Sequence, residues 1–106
     1  MIARGDIRWF RFGRPDKQRP VVALGRAENI SALSEVVVVP CSTTIRGLPW
    51  EIVRDERDGM AVVCTLKVEW IRAVPRGDLG ARIATFPETR WSEVRGALLH
   101  VLGFDG

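Results

Sequence analysis

Histidine is nearly absent from this chain of 106 residues, His100 being the only one. Without a second imidazole, neither a Ser-His-Asp triad nor a two-histidine ribonuclease mechanism can be assembled. His100 falls in a helix-like stretch and reads as structural, on the helix flank or near its C-terminal dipole. Cysteine is scarce too: Cys41 and Cys64 lie far apart in sequence, each in an apolar stretch. They read as buried free thiols, with neither metal-ligand spacing nor a disulfide framework. No apolar run approaches the ~20 residues a membrane helix needs, and residues 1–6 lack the apolar core of a signal peptide. There is no Walker loop, no GxGxxG, no repeat and no low-complexity segment, and the scattered carboxylates show no metal-nuclease spacing. The expectation is a cytoplasmic protein that uses neither metal nor cofactor.

What is present describes an ordinary globular chain. Hydrophobic residues make up 46% and charged residues 27%, far from the signature of disorder. At 11.9 kDa a single domain over residues 1–106 is expected, too small for a large cofactor enzyme. Sixteen cations oppose thirteen anions, for a net charge of +3. Only Lys17 and Lys67 are lysines, so the positive charge is almost all arginine, whose planar fork binds phosphate through two hydrogen bonds. Codon bias in a GC-rich genome gives the same excess.

Turn signals recur at Gly13-Arg14-Pro15-Asp16, Arg46-Gly47-Leu48-Pro49, Arg57-Asp58-Gly59 and Pro75-Arg76-Gly77-Asp78. Between them six strand-like runs stand out, Ile7 to Phe12, Val21 to Leu24, Val36 to Val39, Glu51 to Arg54, Ala61 to Lys67 and Trp70 to Val74. The continuous β-branched runs suit strands buried on both faces. So many short strands in so few residues imply a small, strongly bent barrel. The last stretch changes period: Trp91, Val94, Leu98 and Val101 form one stripe of an amphipathic helix. Pro87 suits its first turn, Thr85 and Glu88 stand at capping-box spacing, Thr89 is a later cap, and Gly103 can close the helix. The architecture expected is mainly β, a small barrel with a C-terminal α-helix packed on or across it.

Three segments place polar residues where a strand meets a loop, the position where small barrels build sites. In the first, residues 13–20, Pro20 biases Arg19 toward an extended conformation at a strand entrance. In the second, Ser42, Thr43 and Thr44 follow a Val-rich strand and either cap a turn or donate to a phosphate. The third is Val68 to Arg72, which reads equally as a solvated strand edge with a core tryptophan. Phe12, Arg14 and Lys17 in the first loop, with Arg46 near the second, supply cations for a phosphate backbone and an aromatic face for stacking. Trp9, Trp50 and Trp91 read as core or interface residues.

These residues carry a resemblance. Ile2-x-Arg4-Gly5-Asp6-Ile7-x-Trp9, Gln18-Arg19-Pro20-Val21-Val22-x-Leu24 and Val39-Pro40-x-Ser42-Thr43-x-x-Arg46-Gly47-x-Pro49-x-Glu51-x-Val53 are similar to the MazF/PemK (Kid) family of toxin endoribonucleases. Asp58 to Cys64, Val68 to Pro75, Leu79-Gly80 and the final Leu102-Gly103 continue it over essentially the entire chain. The resemblance implies a homodimeric SH3-like β-barrel of the Kid/CcdB type with a C-terminal α-helix, which cuts single-stranded RNA at short sequences without metal and is neutralised by a cognate antitoxin. It implies that Arg19, before the proline, and Ser42, after the Pro-x step, carry the chemistry. Well-known members have threonine at the second place, so Ser42 is a departure that keeps the hydroxyl. The family's acidic-polar pair that contacts bases falls on Glu69-Trp70, a larger departure, since tryptophan stacks but offers a single donor. Asp16 is a candidate base or partner for Arg19. Alternatives of other classes are a non-catalytic barrel that binds antitoxin or RNA, and a gyrase-directed toxin of related fold.

Overall fold

The valine runs bury both faces of one sheet, and this double burial organises the chain. In the computed structural model, which describes residues 1–13 and 18–105, β2 (Gln18–Ala23) and β3 (Glu35–Ser42) pair antiparallel at the centre, with Val22 opposite Val39. Val22, Val39 and Cys41 face one core with Ile7, Leu66, Phe86 and the helix residues Val94 and Ala97. Val21, Ala23, Val36 and Val38 face a second core with Phe10, Ile30 and Val74. Each such side chain contributes about 1.5–3 kcal/mol on full burial.

Around this centre lie β1 (Asp6–Arg11), β4 (Ile52–Arg54), β5 (Cys64–Leu66), β6 (Arg72–Pro75) and β7 (Arg82–Thr85). The order is β4-β5-β3-β2-β1-β7, every pairing antiparallel, and β6 joins β3 as well. The strands make a curled half-barrel whose largest core lies under α2 (Trp91–Val101). No helix among the described residues is long and apolar enough to cross a membrane.

The described chain has seven strands where six were expected, together with a short helix, α1 (Ala27–Ala32). The extra strand, β7, is a half-exposed edge of four residues, too short to show alternation. Helix α1 buries only Ile30, which leaves no stripe to read. Strand β5 begins at Cys64, and a 3₁₀ turn over Val68–Trp70 stands where the sixth run was expected to open.

Thr85 and Glu88 do not form the expected capping box. Thr85 belongs to β7, opposite Asp6, and no side chain caps α2. The chain enters α2 through a 3₁₀ turn over Glu88–Arg90 instead, with the Arg90 guanidinium on Glu93 at 2.7 Å. The C-terminus follows the sequence reading: Gly103 has φ +82°, its N–H donates to the His100 carbonyl at 3.1 Å, and the Phe104 N–H donates to Leu99 at 2.7 Å. That is a Schellman motif, which needs the left-handed conformation glycine adopts without strain. His100 serves structure here, with Nδ1 2.8 Å from Asp105 and its ring 5.5 Å from Trp50.

One buried ion pair holds the loop between β3 and β4. Lys67 Nζ donates to Glu51 at 2.6 Å, with both side chains at most 3% exposed. The other acceptor positions of Glu51 take the backbone N–H groups of Arg46 and Leu48, each at 3.0 Å. The Lys67 hydrogen bond above all, then these two N–H groups, holds the Glu51 carboxyl below its ordinary value of 4.5, against the opposing effect of burial. Asp55 and Glu93 are lowered in the same way by Arg57 and Arg90.

Two predictions follow from these contacts. Gly103→Ala forces a side chain into the left-handed region and is expected to lower stability by about 1 kcal/mol in urea unfolding. The lowered carboxyls contribute stability that is fully present above about pH 4.5 and lost as pH falls through their folded values. The urea midpoint is therefore expected to drop on acidification, and Glu51→Gln to flatten that drop. Parallel pH profiles for the two proteins would count against this role for Glu51.

Candidate functional site

Arg19 and Ser42 come from different strands and meet at one end of the sheet. The register Val21↔Pro40, carried two residues further, sets Arg19 across from Ser42. Both line a cleft of about 540 Å³, with Thr43, Thr44 and Gln18 as further polar neighbours and Trp9 and Met60 as apolar walls. Trp9 is 38% exposed at the lip of this cleft. Ser42 itself is buried, and its Oγ accepts the Thr44 N–H at 3.1 Å. An oxygen that accepts there has its own proton directed elsewhere, which makes the Ser42 hydroxyl a donor.

A second, smaller cleft of about 180 Å³ opens beside the first, lined by Phe12, Arg19, Pro40, Trp70 and Arg72. Cations lie against both of its aromatic rings. The Arg19 guanidinium lies 5.5 Å from the centre of the Trp70 ring, and Lys67 Nζ lies 5.8 Å from it. Arg72 sits 5.1 Å from the Phe12 ring, which packs edge-on against Phe10. Trp70 is 43% exposed, so part of its ring is accessible beside these cations. A guanidinium can hold a phosphate with two bonds, a buried hydroxyl can donate to a developing negative charge, and the rings can stack bases.

Of the sequence candidates, the structure gathers Arg19, Ser42 and Thr43 in the first cleft and Phe12, Arg19 and Trp70 in the second. Arg46 and Glu69 line neither. Arg46 is exposed, with its backbone N–H held by Glu51, and Glu69 is exposed on the 3₁₀ turn before β6. Arg14, Asp16 and Lys17 lie outside the described residues. Sequence reasoning missed Gln18, Lys67 and Arg72. Arg72 pairs with Val38 on β3, and a lone arginine two residues past a tryptophan carries no signal of which ring it will cover. Among the described residues no cluster of His, Cys, Asp or Glu could hold a metal ion.

Comparisons with known proteins bear on this geometry. Residues 3–102 match the profile of PemK-like, MazF-like toxins of type II toxin-antitoxin systems. A probable endoribonuclease MazF of Mycolicibacterium smegmatis is 31% identical over 110 residues, covering 99% of this chain and 100% of that protein. The probable endoribonuclease MazF5 of Mycobacterium tuberculosis is 45% identical over 51 residues. That match takes in 48% of this chain and about half of MazF5, 46% of its length. Among solved structures, the Mycobacterium tuberculosis toxin MazF-mt6 superposes with a TM-score of 0.86 at 27% identity, over 95% of this chain and 99% of that one. With the family profile spanning nearly the whole chain and the same curled sheet and C-terminal helix in a solved toxin, this chain belongs to the PemK-like, MazF-like toxins of type II toxin-antitoxin systems.

Proposed function

We propose that this chain is a sequence-specific endoribonuclease toxin that cleaves single-stranded RNA, messenger RNA foremost, without a metal ion. The observation that carries this reading is the place of Arg19, which lines both the cleft with the Ser42 hydroxyl and the cleft with the Trp70 and Phe12 rings. A phosphate held by Arg19 has a hydrogen-bond donor on one side and base-stacking surfaces on the other. That is the arrangement an RNA strand needs at its scissile step.

In this mechanism the 2′-OH of the RNA gives up its proton and attacks the neighbouring phosphorus, charge builds on the non-bridging oxygens, the P–O5′ bond breaks, and the 5′-oxygen leaves with a proton. The products are a 2′,3′-cyclic phosphate and a 5′-hydroxyl end. Arg19 binds the non-bridging oxygens with two N–H bonds, stabilising the charge that builds there or giving a proton to the leaving oxygen, and does not act as a base. Ser42 donates its O–H to the same oxygens. The Thr44 N–H is already spent on Ser42 Oγ, so the hydroxyl and not that amide is the donor. Neighbouring bases stack on Trp70 and Phe12, Arg72 and Arg46 take backbone phosphates, and Glu69 accepts from a base edge. Thr43 lines the path of the strand. Arg14, Asp16 and Lys17 belong to the same proposal by sequence position, as RNA contacts.

The partners proposed follow from the same surfaces. An acidic antitoxin segment would lie over the cationic clefts and block them. A second copy of the chain would cover exposed apolar residues such as Val53, Val62 and Val63, which are 43%, 61% and 50% exposed. The toxin would work as one domain in the cytoplasm, where its RNA substrate lies.

The test is incubation of the purified protein with a long single-stranded RNA in EDTA, followed by mapping of the ends. Discrete cuts with 5′-hydroxyl ends are expected, and Arg19→Ala and Ser42→Ala should each lower kcat by roughly 10²- to 10³-fold. Ser42→Thr, which keeps the hydroxyl, should retain cleavage. An Arg19→Ala protein that still cuts at the same sites at full rate would overturn the mechanism. Trp70→Ala is expected to act on binding, weakening RNA affinity by about 1–3 kcal/mol in a titration with uncleavable RNA. Unchanged affinity would remove Trp70 from the base-stacking surface.

A further inference from the structure

Cys41 and Cys64, which line the larger cleft, and Arg54 on the neighbouring strand have no part in the reaction above. The registers Arg54↔Cys64, Ile52↔Leu66 and Cys41↔Leu66 place Arg54, Cys64 and Cys41 on one face of three adjacent strands, because directly opposed and alternate residues share a face. Cys41 and Cys64 are therefore diagonal neighbours across β3 and β5, and both line the cleft that holds Arg19 and Ser42. Neither is bonded in a disulfide, and they are only 1% and 4% exposed. Arg54 is fully buried beside them. Its Nε is ion-paired with the Asp58 carboxylate at 3.3 Å and its Nη2–H donates to the Asp58 carbonyl at 3.0 Å, while Nη1 makes no hydrogen bond. A buried cation with an unused donor next to two thiols is a surrounding that favours a thiolate.

The two sulfurs are not equivalent. A hydrogen bond from the Cys41 thiol, and then the charge of Arg54, lower the Cys64 thiol from its ordinary value against the opposing effects of burial and of the Asp58 carboxylate. Cys41 is pushed well above 9.0, first by that same hydrogen bond and then by burial. One sulfur is set to attack and the other keeps its proton in contact with it, the relation between a sensing and a resolving cysteine.

We propose that Cys41 and Cys64 are a peroxide-sensitive site that closes reversibly into a disulfide and thereby disables the cleft above it. Cys64 sulfur attacks one peroxide oxygen, the O–O bond breaks, and the departing hydroxide takes up a proton as water. The Cys64 sulfenic acid so formed is attacked by Cys41 sulfur, its S–O bond breaks, and the hydroxyl leaves with the Cys41 proton as a second water. Two thiols lose two electrons in all, and one peroxide is reduced to two waters. Hydrogen-bonded sulfurs must close to about 2.05 Å to form the bond. That contraction draws β5 against the end of β3, where Ser42 is paired with Thr65. A displaced Ser42 hydroxyl no longer meets the scissile phosphate, a consequence that rests on the cleavage proposed above.

The test begins with mass, which reads the thiol chemistry whether or not the chain cuts RNA. Native protein treated with hydrogen peroxide is expected to lose two hydrogens from its intact mass and to regain them with dithiothreitol, with the bridge assigned to Cys41 and Cys64 by peptide mapping. Cys41→Ser should instead retain one oxygen on Cys64, trapped by dimedone, and Cys64→Ser should abolish both products. The wild-type mapping stands without the variants should either fail to fold. Cysteines that stay reduced, or that gain oxygen without bridging, overturn the proposal, as does a bridge formed only between two chains. Cleavage by the oxidised protein should fall at least ~10-fold and return on reduction. A disulfide that leaves cleavage at its full rate overturns the coupling to the cleft.

Discussion

The ion pair between Lys67 and Glu51 is the constraint on which the candidate site depends. Lys67 closes β5 against β3, its backbone N–H donating to Pro40 at 2.8 Å, while its ammonium reaches Glu51 at 2.6 Å and lies against Trp70. Glu51 in turn gathers the amides of Arg46 and Leu48. Two side chains thus tie the end of β3, the loop that follows it and the 3₁₀ turn carrying Trp70 into one unit. Burying two charges is expensive unless their remaining donors and acceptors are satisfied. Here the backbone amides complete the coordination of Glu51, so the pair is stable where it stands and costly to break from one side. The loop it holds begins with the serine and threonines of the larger cleft.

Rigidity below the cleft and openness above it are complementary. Pro20 and the valines of β2 and β3 fix the strands that present Arg19 and Ser42, while the aromatic surface beside them stays exposed. A site that stabilises charge on a phosphate gains from donors that are already in place, since no reorganisation is then needed as the charge develops. A surface that stacks bases gains from access. The division also places Arg54 and the two cysteines in the supporting floor, where a change of covalent state is transmitted to Ser42 through the strand pairing.

Much of this was legible in the sequence, and the parts that were not share a cause. The valine runs, the helical stripe from Trp91 to Val101 and the Gly103 stop were readable because each is a local pattern with one dominant physical meaning. The strand over Arg82–Thr85 was not, since an edge strand of four half-exposed residues has neither alternation nor a core run. Thr85 looked like a cap because its spacing to Glu88 is right. The pairing of Thr85 with Asp6 competes for the same backbone, and the sheet wins.

By itself, the sequence determined the strands of the core, the amphipathic helix and its end, and the Arg-Pro and Ser-Thr segments that carry the family likeness, because these depend on neighbours a few residues away. Only the tertiary structure decided which of them meet. Arg19 and Ser42 are twenty-three positions apart, and they share a cleft because β2 and β3 pair in one register. Arg72 covers Phe12, Lys67 holds Glu51, and Cys41 touches Cys64 beside Arg54, through the same long-range pairing. Strand register couples residues whose separation along the chain is arbitrary, and a one-residue slip of β2 against β3 would turn Arg19 to the face away from Ser42.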